Sequence, residues 1–386
     1  MARIVYSVTG EGRGHAARTR ALVERLREDH CVQIHATGQA YEMLAPLYSG
    51  TEIAVRPLTG LRFRYRPDKR VNYVSTLVGN VPFLTALREL VRREALELER
   101  FAPDLLITDF EPLGPRAAER LGVPWISIDH QSFLTACDLS ALPLSLQGYA
   151  AFMAPFVRSW YPDRRALGLV SSFFRAPLRD DARDVHTIGC LLRPAIRAAT
   201  VESGEHLTAY LRRDVTEAQL DALARAPVPV RLYGLGERPP RGRIRFCAID
   251  AMRFVEDLAT GAALVTTAGN QLIGEAVFLN KPILAMPEAG NFEQRINAFF
   301  IQRSGAGLAI EPKAFGADSL ARLLADIPSI AARQRGLSTD GVPEAARWVE
   351  HVLGGSALPQ PVPTADDFAE RAMMVPGSRP LMRAHR

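Results

Sequence analysis

The chain reads as an α/β protein built from two doubly wound domains. Three observations predict this. Apolar strands alternate with helical patterns from one end to the other, the pattern of a parallel sheet covered by helices on both faces. The length, 386 residues, suits two domains. A stretch of small and polar residues at 197–204 (RAATVESG) divides the alternation into two series of similar size. The predicted organisation is a first domain over 1–197, a second over 198–355 and an extended tail over 356–386.

In the first series, strands are predicted over 4–8, 32–36, 53–55, 105–108 and 125–128. The helix after the first strand carries Ala17, Ala21, Leu22 and Leu26 on one stripe. A longer helical region over 76–101 is entered near Pro82. In the second series, strands are predicted over 207–211, 228–233, 244–247, 263–266 and 283–286. Helices fall over 217–225, 251–258 and 272–279, and then over 292–304, 318–324 and 343–353. The final residues are rich in proline and end LMRAHR. In open parallel sheets, ligands bind outside the carboxyl ends of the strands, so the loops after strands are the informative ones.

Composition narrows the class. The chain is 47% hydrophobic and 23% charged, ordinary for a soluble globular enzyme. Its net charge of +5 does not suggest a nucleic-acid binder, and would not repel an anionic substrate. Cys31, Cys137, Cys190 and Cys247 lie far apart and offer neither a CxxC pair nor zinc-ligand spacing. Reduced thiols in a cytoplasmic protein are expected. The residues from Ala2 to Val8 read as a buried strand rather than a signal peptide. No apolar run is long enough to cross a bilayer.

The first strand ends in Gly10-Glu11-Gly12-Arg13-Gly14-His15. A dinucleotide fingerprint needs a third glycine where His15 stands, and a P-loop needs a Lys-Ser/Thr that is missing. Gly10, Gly12, Arg13 and Gly14 are read either as a tight strand-to-helix turn or as backbone that lies against a ligand. His15 then sits in the first turn of a helix, where the dipole disfavours imidazolium. A neutral imidazole suits a general base. Such a base needs an orienting carboxylate. Asp109, ending the strand in PDLLITD, is the candidate, with a helix cap as its alternative role.

The second domain repeats the strand-turn-helix pattern at Thr266-Thr267-Ala268-Gly269-Asn270. Small residues and backbone N–H groups at a helix start form an anion site. Glu275 stands six residues beyond Gly269. The strand PILAMP then leads through Glu288 and Gly290 to Glu293 and Gln294, with Asn297 one turn further. Together these pieces describe a site for a diphosphate, a polyhydroxyl group, or both.

The segment TTAGNQLIGEAVFLNKPILAMPEAGNFEQRINAFFIQRSGAGLAI resembles the donor-binding segment of GT-B nucleotide-sugar-dependent glycosyltransferases. GEGRGHAAR is similar to the acceptor-side loop of that superfamily, and PDLLITDFEPLGPRAAERLGVPWISI to the strand-helix-strand unit that follows it. More distantly, the chain resembles the N-acetylglucosaminyltransferase of peptidoglycan synthesis. The resemblance covers most of residues 1–310. It implies the GT-B fold, two doubly wound Rossmann-like domains facing across a cleft. It implies an inverting, metal-independent transfer of a sugar from a nucleoside diphosphate sugar, a UDP-sugar above all, to an acceptor hydroxyl. It assigns His15 as base, Asp109 as its carboxylate partner, and Thr267, Gly269 and Asn270 as the diphosphate turn. Glu275 becomes the ribose ligand, and Glu293 and Gln294 the pair that reads the sugar. The sequence departs from the plant branch in having no histidine at the diphosphate turn.

No cofactor beyond the donor substrate is expected. The run 62–70, from Arg62 to Arg70, mixes arginines with aromatics. It reads as a solvated face, as a contact for an anionic or lipid-linked acceptor, or as a peripheral contact with anionic lipid. No nucleic-acid partner is expected. Two other functions fit the same fold: a non-hydrolysing sugar-nucleotide epimerase, and a catalytically silent ligand-binding protein.

Overall fold

The computed structural model describes residues 1–10, 12–61, 73–212, 215–337 and 340–354. The basic run at 62–70 and the expected tail at 356–386 lie outside the described residues. The chain forms two compact units.

In the first unit, β1 (Arg3–Val8), β2 (Cys31–Thr37) and β3 (Ala54–Leu58) alternate with α1 (Arg13–Leu26) and α2 (Gly38–Leu47). Next come α3 (Tyr73–Gly79), α4 (Val81–Phe101), β4 (Leu105–Asp109), α5 (Leu113–Leu121) and β5 (Trp125–Asp129). The series ends with α6 (Phe133–Ala136), α7 (Leu144–Trp160), β6 (Leu167–Ser171) and β7 (Val185–Ile188). The strands form one parallel sheet in the order β3-β2-β1-β4-β5-β6-β7. Chain direction across the sheet reverses between β1 and β4, which makes that place its topological switch point. Central strands are buried on both faces, so β1, β4 and β5 read as near-continuous apolar runs. Pro57, which has no N–H for a ladder, stands in the edge strand β3.

In the second unit, α8 (Pro194–Arg197) marks the entry. β8 (Leu207–Tyr210), α9 (Glu217–Ala224), β9 (Val230–Tyr233), β10 (Ile244–Phe246), α10 (Ala251–Thr260) and β11 (Ala263–Thr266) follow. Then come α11 (Asn270–Phe278), β12 (Ile283–Ala285), α12 (Phe292–Arg303), β13 (Gly307–Ala309) and α13 (Ala317–Gln334). The sheet order β10-β9-β8-β11-β12-β13 repeats that of the first unit, with its switch point between β8 and β11. Its core includes Leu207, Ala209, Val230, Leu232, Val265, Leu284, Leu320 and Leu323.

The last helix among the described residues, α14 (Gly341–Val352), departs from the expected boundary: it belongs to the first unit. Val342, Ala345, Trp348 and Val349 pack with Leu22 and Leu26 of α1 and with Leu167 and Leu169 of β6. Burial of these apolar faces is the driving force. The Gly341 N–H donates to the Cys190 carbonyl, the His186 ring stacks on Trp348, and His30 pairs with Glu350 at 2.7 Å. The segment Phe173–Arg175 belongs instead to the second unit, where Phe174 stacks on Phe300 at 3.9 Å.

Candidate active site

The first cluster forms at the switch point of the first sheet. Beyond β1 the chain turns at Gly10 and Gly12. A Cβ on Gly10 would stand 2.2 Å from the Thr37 carbonyl oxygen. Gly12 has a φ of 82°, which favours glycine. Both glycines thus serve the turn itself. The turn starts α1 at the exposed Arg13, so half-buried Gly14 and then His15 fall in its first turn. Arg18, three residues on, shares the His15 face of the helix.

β4 brings Asp109 beside Val8 of β1 in register. Its Oδ1 lies 2.8 Å from His15 Nδ1. Arg18 grips the same carboxylate twice, with Nη2–H donating to Oδ1 at 2.8 Å and Nε–H donating to Oδ2 at 3.1 Å. Asp109 is 0% exposed, Arg18 4% and His15 7%. Burial pushes the Asp109 carboxyl up, but the Arg18 charge and His15 outweigh it and hold the group below its usual range. Burial likewise opposes the Arg18 cation, and Asp109 more than compensates.

Asp109 does not cap the next helix. Glu111 does, accepting the Leu113 and Gly114 N–H groups at 2.8 Å each and the Ser7 hydroxyl at 2.5 Å. Burial raises the Glu111 carboxyl. At the end of β5, Asp129 accepts the Tyr161 hydroxyl at 2.7 Å and the Ser132 N–H at 2.7 Å. Burial pushes this carboxyl up too. The Tyr161 oxygen in turn accepts the Phe110 N–H, next to Asp109.

The second cluster forms at the switch point of the second sheet. After β11 the turn passes through Thr267, Ala268 and Gly269. Ala268 has a φ of 70°, a left-handed conformation that costs an alanine about 1–2 kcal/mol. Asn297 of α12 holds that turn by donating its side-chain N–H to the Ala268 carbonyl at 3.0 Å. Gly269 precedes α11, and among the described residues no side-chain hydrogen bond caps this helix. The N-terminal end of a helix carries partial positive charge, which suits an anion. A Cβ on Gly269 would meet nothing within 4 Å.

The Asn270 side chain accepts the Phe173 N–H at 3.2 Å, so it serves the packing of Phe173–Arg175. Its backbone N–H belongs to the first turn of α11. Glu275, one turn deeper, is 2% exposed and accepts the Gln271 amide at 3.3 Å. Asn291 caps α12. Gln294 closes the loop before α12: its Oε1 accepts the Glu288 N–H at 2.7 Å, and its Nε2 donates to Glu288 Oε2 at 3.1 Å. Glu293 lies in the first turn of α12.

The structure thus unites His15 with Asp109, and separately unites Thr267, Gly269, Asn270 and Glu275. Sequence reading missed Arg18, Glu111, Asp129 and Tyr161. Only Arg18 left a signal, the three-residue spacing from His15. Among the described residues no group of three or more His, Cys, Asp or Glu side chains is placed to hold a metal ion. Among the same residues no helix is long and apolar enough to cross a membrane, and all four cysteines are free.

A model of glycosyl transferase family 1 matches residues 2–328, most of the chain. The chain belongs to glycosyl transferase family 1. Similar to this family 1 chain is an uncharacterized glycosyltransferase of Methanosarcina acetivorans, 25% identical over 343 residues, which are 79% of this chain and 84% of that one. A UDP-N-acetylglucosamine--N-acetylmuramyl-(pentapeptide) pyrophosphoryl-undecaprenol N-acetylglucosamine transferase of Mycolicibacterium smegmatis is 34% identical over 103 residues, 25% of this chain and 27% of its own. The structure of Phytolacca americana UGT2 complexed with UDP-2fluoro-glucose and pterostilbene matches with a TM-score of 0.66 at 15% identity, over 92% of this chain and 99% of that one. The fold is GT-B, and the family 1 chain is a glycosyltransferase.

Proposed function

We propose that this glycosyltransferase moves a sugar from a nucleoside diphosphate sugar, a UDP-sugar above all, to an acceptor hydroxyl, with inversion and without a metal. The observation that carries this reading is the buried His15–Asp109 pair at a switch point. With Asp109 accepting from Nδ1–H, the Nε2 lone pair of His15 takes the acceptor proton. The acceptor oxygen attacks the anomeric carbon through an oxocarbenium-like state, as in glycoside hydrolysis. The bond to the diphosphate breaks, and its electron pair stays on the departing phosphate oxygen. The positive end of α11, about half a unit charge, stabilises that oxygen.

Thr267, Gly269 and the backbone of Asn270 hold the diphosphate in this reading, and Glu275 takes the ribose hydroxyls. Glu293 contacts the sugar, with Gln294 setting the loop that presents it. A uridine donor is supported by the names of two relatives, one a UDP-N-acetylglucosamine enzyme and one solved with a UDP-sugar analogue.

A thermal-shift screen of nucleotide sugars identifies the donor, because a ligand of the folded state raises its stability by mass action. The stabilising donor is then incubated with and without acceptor hydroxyls. Nucleoside diphosphate release that depends on the acceptor, with an inverted glycoside as product, is expected. Conversion of the donor to its epimer with no acceptor present contradicts transfer and makes the protein an epimerase.

A further inference from the structure

Three atoms at the first switch point form a nearly equilateral triangle. His15 Nδ1, Arg18 Nη2 and Asp109 Oδ1 are each 2.8 Å from the other two. A guanidinium only donates, so it offers the imidazole no acceptor. If Nη2–H pointed at the Nδ1 lone pair, the ring proton would sit on Nε2 and the base would be blocked. If both nitrogens donate to Oδ1, Nδ1 keeps its proton and Nε2 keeps its lone pair. The second Arg18 contact, from Nε to Oδ2 at 3.1 Å, orients the fork toward the carboxylate and favours this second arrangement.

We propose that Arg18 is a positioning residue for sugar transfer: its buried guanidinium clamps Asp109 and completes a net-neutral triplet in which His15 stays an uncharged Nδ1–H tautomer. The inference rests on His15 being the base. It adds a third member to the pair, one that touches neither acceptor nor donor.

The charge count gives the consequence. Arg18 cation, Asp109 carboxylate and neutral His15 sum to zero in a buried site. Proton uptake by this triplet leaves a buried net charge, which is costly. Without the guanidinium, the carboxylate and imidazole carry a net negative charge, and proton uptake neutralises it. The pair therefore protonates at higher pH when Arg18 is removed, whichever of the two groups receives the proton. The other titratable groups facing the site are Tyr6 of β1, Asp129 of β5 and Tyr161 after α7; Tyr6 and Asp129 also feel the Arg18 charge, and its loss pushes both up, toward the neutral form that burial already favours.

The test is the pH profile of kcat/KM for wild type, Arg18→Gln, Arg18→Lys and His15→Ala, with donor affinity and Tm measured beside it. In Arg18→Gln the acid limb is expected to move up by about one pH unit. Its activity relative to wild type then falls further below that limb than on the plateau, by up to tenfold. Arg18→Lys keeps the charge but loses the fork, so the limb stays in place while the plateau drops at least several-fold. An unmoved limb in folded Arg18→Gln, with only Tm lowered, overturns the proposal. If Arg18→Gln does not fold, Arg18→Lys decides, and a wild-type plateau there overturns it. Wild-type turnover in His15→Ala removes the base reading itself, and the proposal with it. Loss of turnover in His15→Ala with an unmoved Arg18→Gln limb leaves that reading standing and removes Arg18 alone.

Discussion

The Gln294 amide is engaged by its own loop. An amide can hold a sugar hydroxyl, because it both donates and accepts. In the structure the same amide bonds the Glu288 backbone and carboxylate and closes the loop before α12. Glu293→Ala is expected to lower sugar-nucleotide use roughly tenfold, the worth of one charge-assisted hydrogen bond, while free nucleoside diphosphate binding stays near wild type. Gln294→Ala loses two loop bonds and lowers stability by about 1–2 kcal/mol as well. Calorimetry with the free nucleotide and with the sugar nucleotide checks this, and equal weakening of both ligands in Glu293→Ala argues against a sugar contact there. His15 and Asp109 were legible because each ends a strand-loop pattern. Arg18 was not: an arginine on a helix normally reads as solvated, and its burial appears only once β4 delivers Asp109 from 91 residues away.

The two glycine turns look alike in sequence and differ in what occupies the space beside them. Gly10 is enclosed by protein, with the Thr37 carbonyl where a Cβ would go. Gly269 has a φ of −71°, open to any residue, and nothing within 4 Å of its Cβ position. Gly10→Ala is therefore expected to cost about 1–3 kcal/mol of stability through overpacking. Gly269→Ala is expected to leave stability within about 0.5 kcal/mol and to weaken nucleoside diphosphate binding tenfold or more. Wild-type nucleotide affinity in Gly269→Ala would move the diphosphate elsewhere. The strands flanking these turns were legible as apolar runs. β13 was not, being three residues of Gly-Leu-Ala, and α7 was hidden because it is apolar nearly all round and carries Gly148 and Pro155. α2 escaped as well, with a glycine at its start and Pro46 inside it.

At the scale of the molecule, α14 packs in the unit that holds α1 and β1. Sequence spacing found the α14 helix but attached it to the second domain, because adjacency along the chain carries no information about which apolar face a helix covers. Trp348→Ala is expected to destabilise the first unit by about 3–5 kcal/mol, read as a fall in Tm. Nucleoside diphosphate affinity of the folded fraction stays unchanged, since the turn at Gly269 lies in the second unit. On the proposed reading, base chemistry belongs to one unit and nucleotide binding to the other. The most direct measurement is the turnover of purified His15→Ala, with its nucleoside diphosphate affinity determined on the same sample. A loss of a hundredfold or more in turnover is expected, with affinity unchanged. Turnover at the wild-type level would contradict it.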